Sequence, residues 1–116
     1  MTRIVALLLL AGPAWAQTPG WVPKGTAQLM LLDKISAQPS TVDVKVGAST
    51  SFGTLTIQVR SCDARPPDMP ADSAAFLDIT DTRANSKGFH GWILANTPAV
   101  SLFEDPIYDV HLAVCR

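Results

Sequence analysis

The chain has 116 residues, nine Lys and Arg against ten Asp and Glu, and 47% hydrophobic residues. A chain of this length fits one domain with a modest core, because folding hides roughly 70% or less of its unfolded surface. The near-balanced charge, with no basic run anywhere, argues against nucleic-acid binding, which is driven by clustered Lys and Arg on phosphates.

The first sixteen residues have the three-part plan of a secretory signal. Arg3 gives a positive start, Ile4 to Ala11 is apolar, and Gly12-Pro13 breaks the run before Ala14-Trp15-Ala16. The apolar run is too short for a bilayer span, which takes about 20 residues, and small residues at 14 and 16 suit cleavage after Ala16. No cysteine follows the cleavage point, so a lipid-anchored form is not expected, and no later segment is apolar enough to span. The expected organisation is a signal peptide over 1–16, a tail over 17–25 and a single β domain over 26–116, located in the periplasm. Loss of Arg3 leaves eight Lys and Arg against ten Asp and Glu.

Beyond the tail the dominant period is two, the mark of strands with one buried face. Ala27 to Asp33 is a first candidate, with apolar residues on both faces. A turn is expected at Gln38-Pro39-Ser40, before Val42, Val44 and Val46 alternate with Thr41, Asp43 and Lys45. Gly47 and the Ser/Thr stretch Ser49 to Ser51 read as a connector. Leu55, Ile57 and Val59 then alternate with Thr54, Thr56, Gln58 and Arg60.

Asp63 to Asp72 holds Pro66, Pro67 and Pro70, which excludes helix and central strand. It reads as a stiff surface loop displaying Arg65, Asp68 and Met69. Ala75 to Thr80 and Phe89 to Ala95 are further strands with two apolar faces, where a doubly covered position is plausible, separated by the turn Ala84-Asn85-Ser86-Lys87-Gly88. Thr97-Pro98 reads as a helix cap, with one short helical turn over Ala99 to Phe103 stopped by Pro106. Tyr108, Val110, Leu112 and Val114 form the last alternating strand. The expected fold is all-β, a small sandwich or barrel of about six strands.

Cys62 and Cys115 are the only cysteines, and export would carry both into a compartment where disulfides persist. They read as one intramolecular bond. Cys62 is in phase with Gln58 and Arg60, and Cys115 with Asp109 and His111, so both fall on the polar phase of their strands. Unbulged strands would therefore place the bond on the face opposite the main apolar stripe, across the outer side of the fold or beneath a covering loop. A bulge in either would undo that placement.

Laid out this way, the chain resembles a family of small exported alphaproteobacterial proteins catalogued as a domain of unknown function. The resemblance runs through Leu32-Asp33-Lys34, Gly53-Thr54-Leu55-Thr56-Ile57, Cys62, Arg65-Pro66-Pro67 and Ala74-Ala75-Phe76-Leu77-Asp78-Ile79. It continues at Gly91-Trp92, from Pro98 to Pro106-Ile107-Tyr108-Asp109-Val110, and at Cys115. Asp105 and His111 depart from the family's usual His and Trp. The resemblance implies an envelope location and a paired Cys62 and Cys115, and it brings no catalytic residue.

A metal site could draw on His90, His111, Asp109 and Glu104, but these residues share no short motif. An enzyme could draw on Asp78, Asp81, Glu104, Asp105 and Asp109, but the motifs of activated nucleophiles are missing. No cofactor is expected. Trp21, Phe89, Trp92 and Phe103 could line a groove, although aromatic residues more often fill cores. The reading is a non-catalytic envelope module binding an envelope protein or a cell-wall polymer, with Arg65, Asp68, Met69, Trp92 and Tyr108 as its candidate surface. The alternative is a periplasmic inhibitor of cell-wall hydrolases, acting through the loop after Cys62.

Overall fold

The alternating segments pair into two antiparallel sheets. The structure is a computed structural model describing residues 20–96, 103 and 105–116. The expected leader over 1–16, the helical turn following Thr97, and Glu104 lie outside the described residues. Eight strands are formed: β1 (Val22–Pro23), β2 (Thr26–Asp33), β3 (Gln38–Lys45), β4 (Ser49–Phe52), β5 (Leu55–Ala64), β6 (Ser73–Asp81), β7 (Phe89–Leu94) and β8 (Tyr108–Cys115). One sheet runs β1-β5-β6-β7, with β4 also paired to β5, and the other runs β3-β2-β8. The protein is all-β, with no helix among the described residues.

The six expected strands correspond to β2, β3 and β5 to β8, and two short strands are added. Ser49–Phe52, read as a connector, is β4, and Val22–Pro23, read as tail, is β1; both lie against β5. Gln38-Pro39-Ser40, read as a turn, opens β3. The reversal comes earlier, at Lys34 to Ala37, where the Asp33 carboxylate accepts from the Ile35 N–H at 2.9 Å and Ala37 has φ 54°. Pro39 is tolerated because β3 is an edge strand. The Ala84 to Gly88 turn forms where expected, with positive φ at Asn85 and Gly88.

Leu29, Leu31, Leu55, Ile57, Val59, Leu77 and Ile79 are fully buried between the sheets. Two chain crossings close one side of the sandwich. The Lys24 N–H donates to the Cys62 carbonyl (2.7 Å), the Gly47 N–H to the Val59 carbonyl (2.7 Å), and the Val46 N–H to the Gly25 carbonyl (2.9 Å). A second covering was expected for β2, β6 and β7; among the described residues no further layer covers their outer faces, where Met30 is 47% exposed and Trp92 43%. With two layers, each sheet has a single buried face.

The disulfide forms between Cys62 and Cys115, with Cα atoms 5.5 Å apart, but its position differs from that expected of regular strands. Both cysteines are in the core, 2% and 3% exposed. Two bulges account for this. In β5, Val59 pairs with Leu77 and Ser61 with Phe76, leaving Arg60 as an extra residue. In β8, Leu112 pairs with Leu29 and Val114 with Gln28, leaving Ala113 extra. One inserted residue reverses the facing of everything beyond it, so Cys62 and Cys115 turn inward opposite Ala75 and Ala27. The same shift rotates Val114, expected in the core stripe, to a half-buried position. The Cys115 N–H donates to Ser73 Oγ at 2.9 Å, a second tie between the sheets, and Ser73 is itself 3% exposed.

A bond closing a loop of 53 residues is worth about 4 kcal/mol in the chain-entropy model. The double variant Cys62→Ala/Cys115→Ala is expected to lose about that much in urea unfolding. In the native wild type, burial should protect the bond from dithiothreitol until denaturant is added; ready reduction of the folded protein would contradict the core placement.

Candidate functional site

The bulge at Arg60 that turns Cys62 inward also turns Asp63 outward. Asp63 then joins a cross-strand row on the outer face of the five-stranded sheet: Pro23 on β1, Asp63 on β5, Ala74 on β6 and Leu94 on β7. This row floors a cleft of about 590 Å³, between Trp21 and Trp92. Its size lies within the range of small-ligand pockets, roughly 300–1,000 Å³. Val22 completes an apolar lining in which Asp63 is the single ionisable side chain.

Each wall has its own support. The Arg65 guanidinium lies 3.9 Å above the Trp21 ring and donates to the Gly20 carbonyl at 3.0 Å, so the start of the proline loop holds Trp21 in place. The loop closes through the Arg65 N–H to the Asp72 carbonyl (2.9 Å) and turns through the Met69 N–H to the Pro66 carbonyl (3.0 Å). On the other side Trp92 meets Phe76 edge to face, ring centroids 5.4 Å apart. Phe76 is Trp92's cross-strand partner and holds the indole upright on the sheet.

Of the residues expected to form a binding surface, the structure brings Trp92 to the cleft and places Arg65 behind its Trp21 wall. Met69, 39% exposed, lies close to Gly20 beside that wall, and Asp68 is exposed on the loop without lining the cleft. Asp63 and Ala64, expected in the loop, are the end of β5. Tyr108 is a correction: it is 7% exposed. Its hydroxyl accepts from the Thr54 N–H at 3.2 Å and its ring packs edge-on to Phe52. Tyr108 fits there because residue 53 is glycine, with φ 57°; a Cβ at that position would collide with the hydroxyl. Trp21, read as a possible groove residue, lines the cleft with Trp92, whereas Phe89 and Phe103 do not; Pro23, Asp63 and Leu94 were not expected there, because the pairing of β1 and the bulge assemble the site.

Two charged groups lie elsewhere. On the same sheet face, Asp78 of β6 pairs with Arg60 and accepts from His90 Nδ1 at 2.6 Å. At the opposite end, the Arg83 side chain joins Asp81 (2.8 Å from Nε) to Asp105 (2.5 Å). Asp105 also accepts from the Ile107 and Tyr108 N–H groups at 2.8 and 3.0 Å, so this clasp sets the entry to β8. His90 and His111 lie on different sheets, and the described residues contain no group of three or more metal-ligating side chains. Asp109 pairs with Lys34 at 3.2 Å.

The family described as "Uncharacterized protein conserved in bacteria (DUF2155)" matches residues 27–115, from the first core residue of β2 to the second cysteine. The chain belongs to this family. A relative from Rickettsia prowazekii (strain Madrid E), "Uncharacterized protein RP359", is 25% identical over 91 residues. The alignment covers 76% of this chain and 59% of the relative, so the chain spans well under two thirds of that protein's length. No solved structure matches. The family match takes in Asp63, Ala74, Trp92 and Leu94 of the cleft, whereas Trp21 to Pro23 precede it.

Hydrogen bonds from Arg83 hold the Asp81 carboxyl well below the usual carboxylate range, against burial, and those from His90 and Arg60 lower Asp78. Carboxylates with depressed folded values stabilise the fold above their unfolded value, about pH 4. That contribution is lost as pH falls through the folded values. Unfolding free energy should therefore be flat above about pH 5 and decline below pH 4. The Asp78→Asn/Asp81→Asn variant should be less stable at neutral pH and have a shallower acid limb; an unchanged acid limb would remove these pairs from the account.

Proposed function

We propose that this chain is an exported, non-catalytic binding module of the cell envelope, with the Trp21–Trp92 cleft as its recognition surface. The supporting observation is the exposure of Trp92 beside a shaped cleft on a sheet whose other face carries the core residues Leu55, Ile57, Val59, Leu77 and Ile79. Leaving Trp92 43% exposed forgoes part of its burial energy, which for full burial of a large apolar side chain is roughly 1.5–3 kcal/mol, and an apolar partner would recover that part. Cleavage of the leader after Ala16 would leave Trp21 and Trp92 as the only two tryptophans, both in the cleft. The lack of catalysis is part of the proposal. Among the described residues the one His–carboxylate pair, His90–Asp78, stands on an open sheet face beside Arg60, outside the cleft lining.

Hydrolase inhibition through the loop after Cys62 has less support. Arg65, at the start of that loop, is turned back onto Trp21 and the Gly20 carbonyl.

A photoreactive phenylalanine analogue placed at Trp92, and separately at Met30, tests the proposal in cells. Met30 is as exposed as Trp92 but lies on the other sheet. Adducts with envelope protein or sacculi are expected from position 92 and not from position 30. Equal labelling from both positions, or none from either, would overturn the assignment.

A further inference from the structure

The cleft differs from a sugar-binding site in its shortage of polar groups. A buried saccharide needs a partner for each hydroxyl, and each one left unpaired costs about 1–3 kcal/mol. Beside the two indole N–H groups, which only donate, the lining supplies one side-chain acceptor, Asp63, among Val22, Pro23, Ala74 and Leu94. That carboxylate makes no ion pair among the described residues, although the nearby Arg65 could reach for an anion; Arg65 is committed to Trp21. Asp63 lies within the floor, in register with Pro23 and Ala74. A ligand laid across the row would bring apolar groups against Trp21 and Trp92 and one group against the carboxylate between them. A cation there is attracted both to Asp63 and to indole faces.

We infer that the occupant of the cleft is an extended apolar peptide segment carrying one Lys or Arg, which pairs with Asp63 while flanking side chains seat against Trp21 and Trp92. This rests on the cleft being the recognition surface and adds the class and charge of its ligand. The segment's apolar side chains need no hydrogen-bond partners in the lining, and its basic group answers the one charge of the lining, which makes no ion pair among the described residues.

The test uses the purified protein and three fluorescein-labelled, end-blocked hexapeptide pools. The pools share apolar residues, including Pro and Leu, and carry a fixed central Lys, Glu or norleucine. Fluorescence polarisation reads binding, with N-acetylglucosamine oligosaccharides as competing glycan probes. The Lys pool is expected to bind at least tenfold more tightly than the Glu pool. Asp63→Asn should reduce that preference to under threefold, Trp92→Ala should weaken all pools, and Asp68→Asn, outside the cleft, should change nothing. Circular dichroism confirms that each variant is folded. Equal binding of the three pools, sensitive to Trp92→Ala, would overturn the charge assignment and leave the cleft as the recognition surface. Oligosaccharide binding without peptide binding would overturn the peptide assignment while keeping the surface. Binding unaffected by Trp92→Ala, or no binding of any probe, would overturn both.

Discussion

The rest of the structure depends on the Cys62–Cys115 bond being inside the core. A sandwich of two small sheets gains little from its edges, and here a covalent tie joins β5 to β8 between the layers. Reaching that position takes one extra residue in each strand, Arg60 and Ala113, because a regular alternation would send both sulfurs outward. The cost is a broken ladder. Ser73 offsets it at β8 by accepting from the Cys115 N–H, and the Lys24 N–H bonds the Cys62 carbonyl on the other side. The crossing segments at Lys24 and Gly47 meet β5 on either side of the bulge, at Cys62 and Val59, so irregularity, sheet-switching and the disulfide concentrate in one zone.

That zone also makes the cleft. Moving Cys62 to the core moves Asp63 to the surface, and beyond it the chain turns into a loop whose first residue, Arg65, stacks on Trp21. The disulfide thus anchors the floor of the cleft as well as the fold. On the far wall, Phe76 and Trp92 lean on one another on the outer face of β6 and β7. A face that began as the solvent side of an antiparallel sheet becomes a shaped, mostly apolar recess because β1 extends the sheet by one short strand. The Arg83 clasp does the equivalent work at the opposite end, fixing how Asp105 leads into β8 and where Tyr108 enters the core.

Much of the fold was legible in the alternation of Val42, Val44 and Val46, of Leu55, Ile57 and Val59, and of Tyr108, Val110 and Leu112. The pairing of the cysteines followed from their being two in number. Their location did not, since a bulge leaves no mark in composition: Arg60 and Ala113 look like ordinary members of their strands, and only pairing with β6 and β2 shows them as extra. The cleft was hidden for a related reason. Asp63 read as loop, Val22-Pro23 as tail, and Trp92 as a candidate for either core or contact, because which face a strand residue takes depends on register across neighbours. Tyr108 was misplaced because its space is made by a glycine 55 positions earlier, at Gly53. Ser49–Phe52 has a turn-like composition and becomes a strand through its partner, β5.

The paired bulges can be tested by the nuclear Overhauser contacts of the cysteine β-protons in the oxidised protein. With Arg60 and Ala113 bulged, Cys62 lies opposite Ala75 and Cys115 opposite Ala27, so cross-strand contacts should join each cysteine to the methyl of its alanine partner. Contacts instead from Cys62 to Ala74 and from Cys115 to Thr26, the partners that unbulged strands would give, would move the bond to the outer side and contradict the account of both core and cleft.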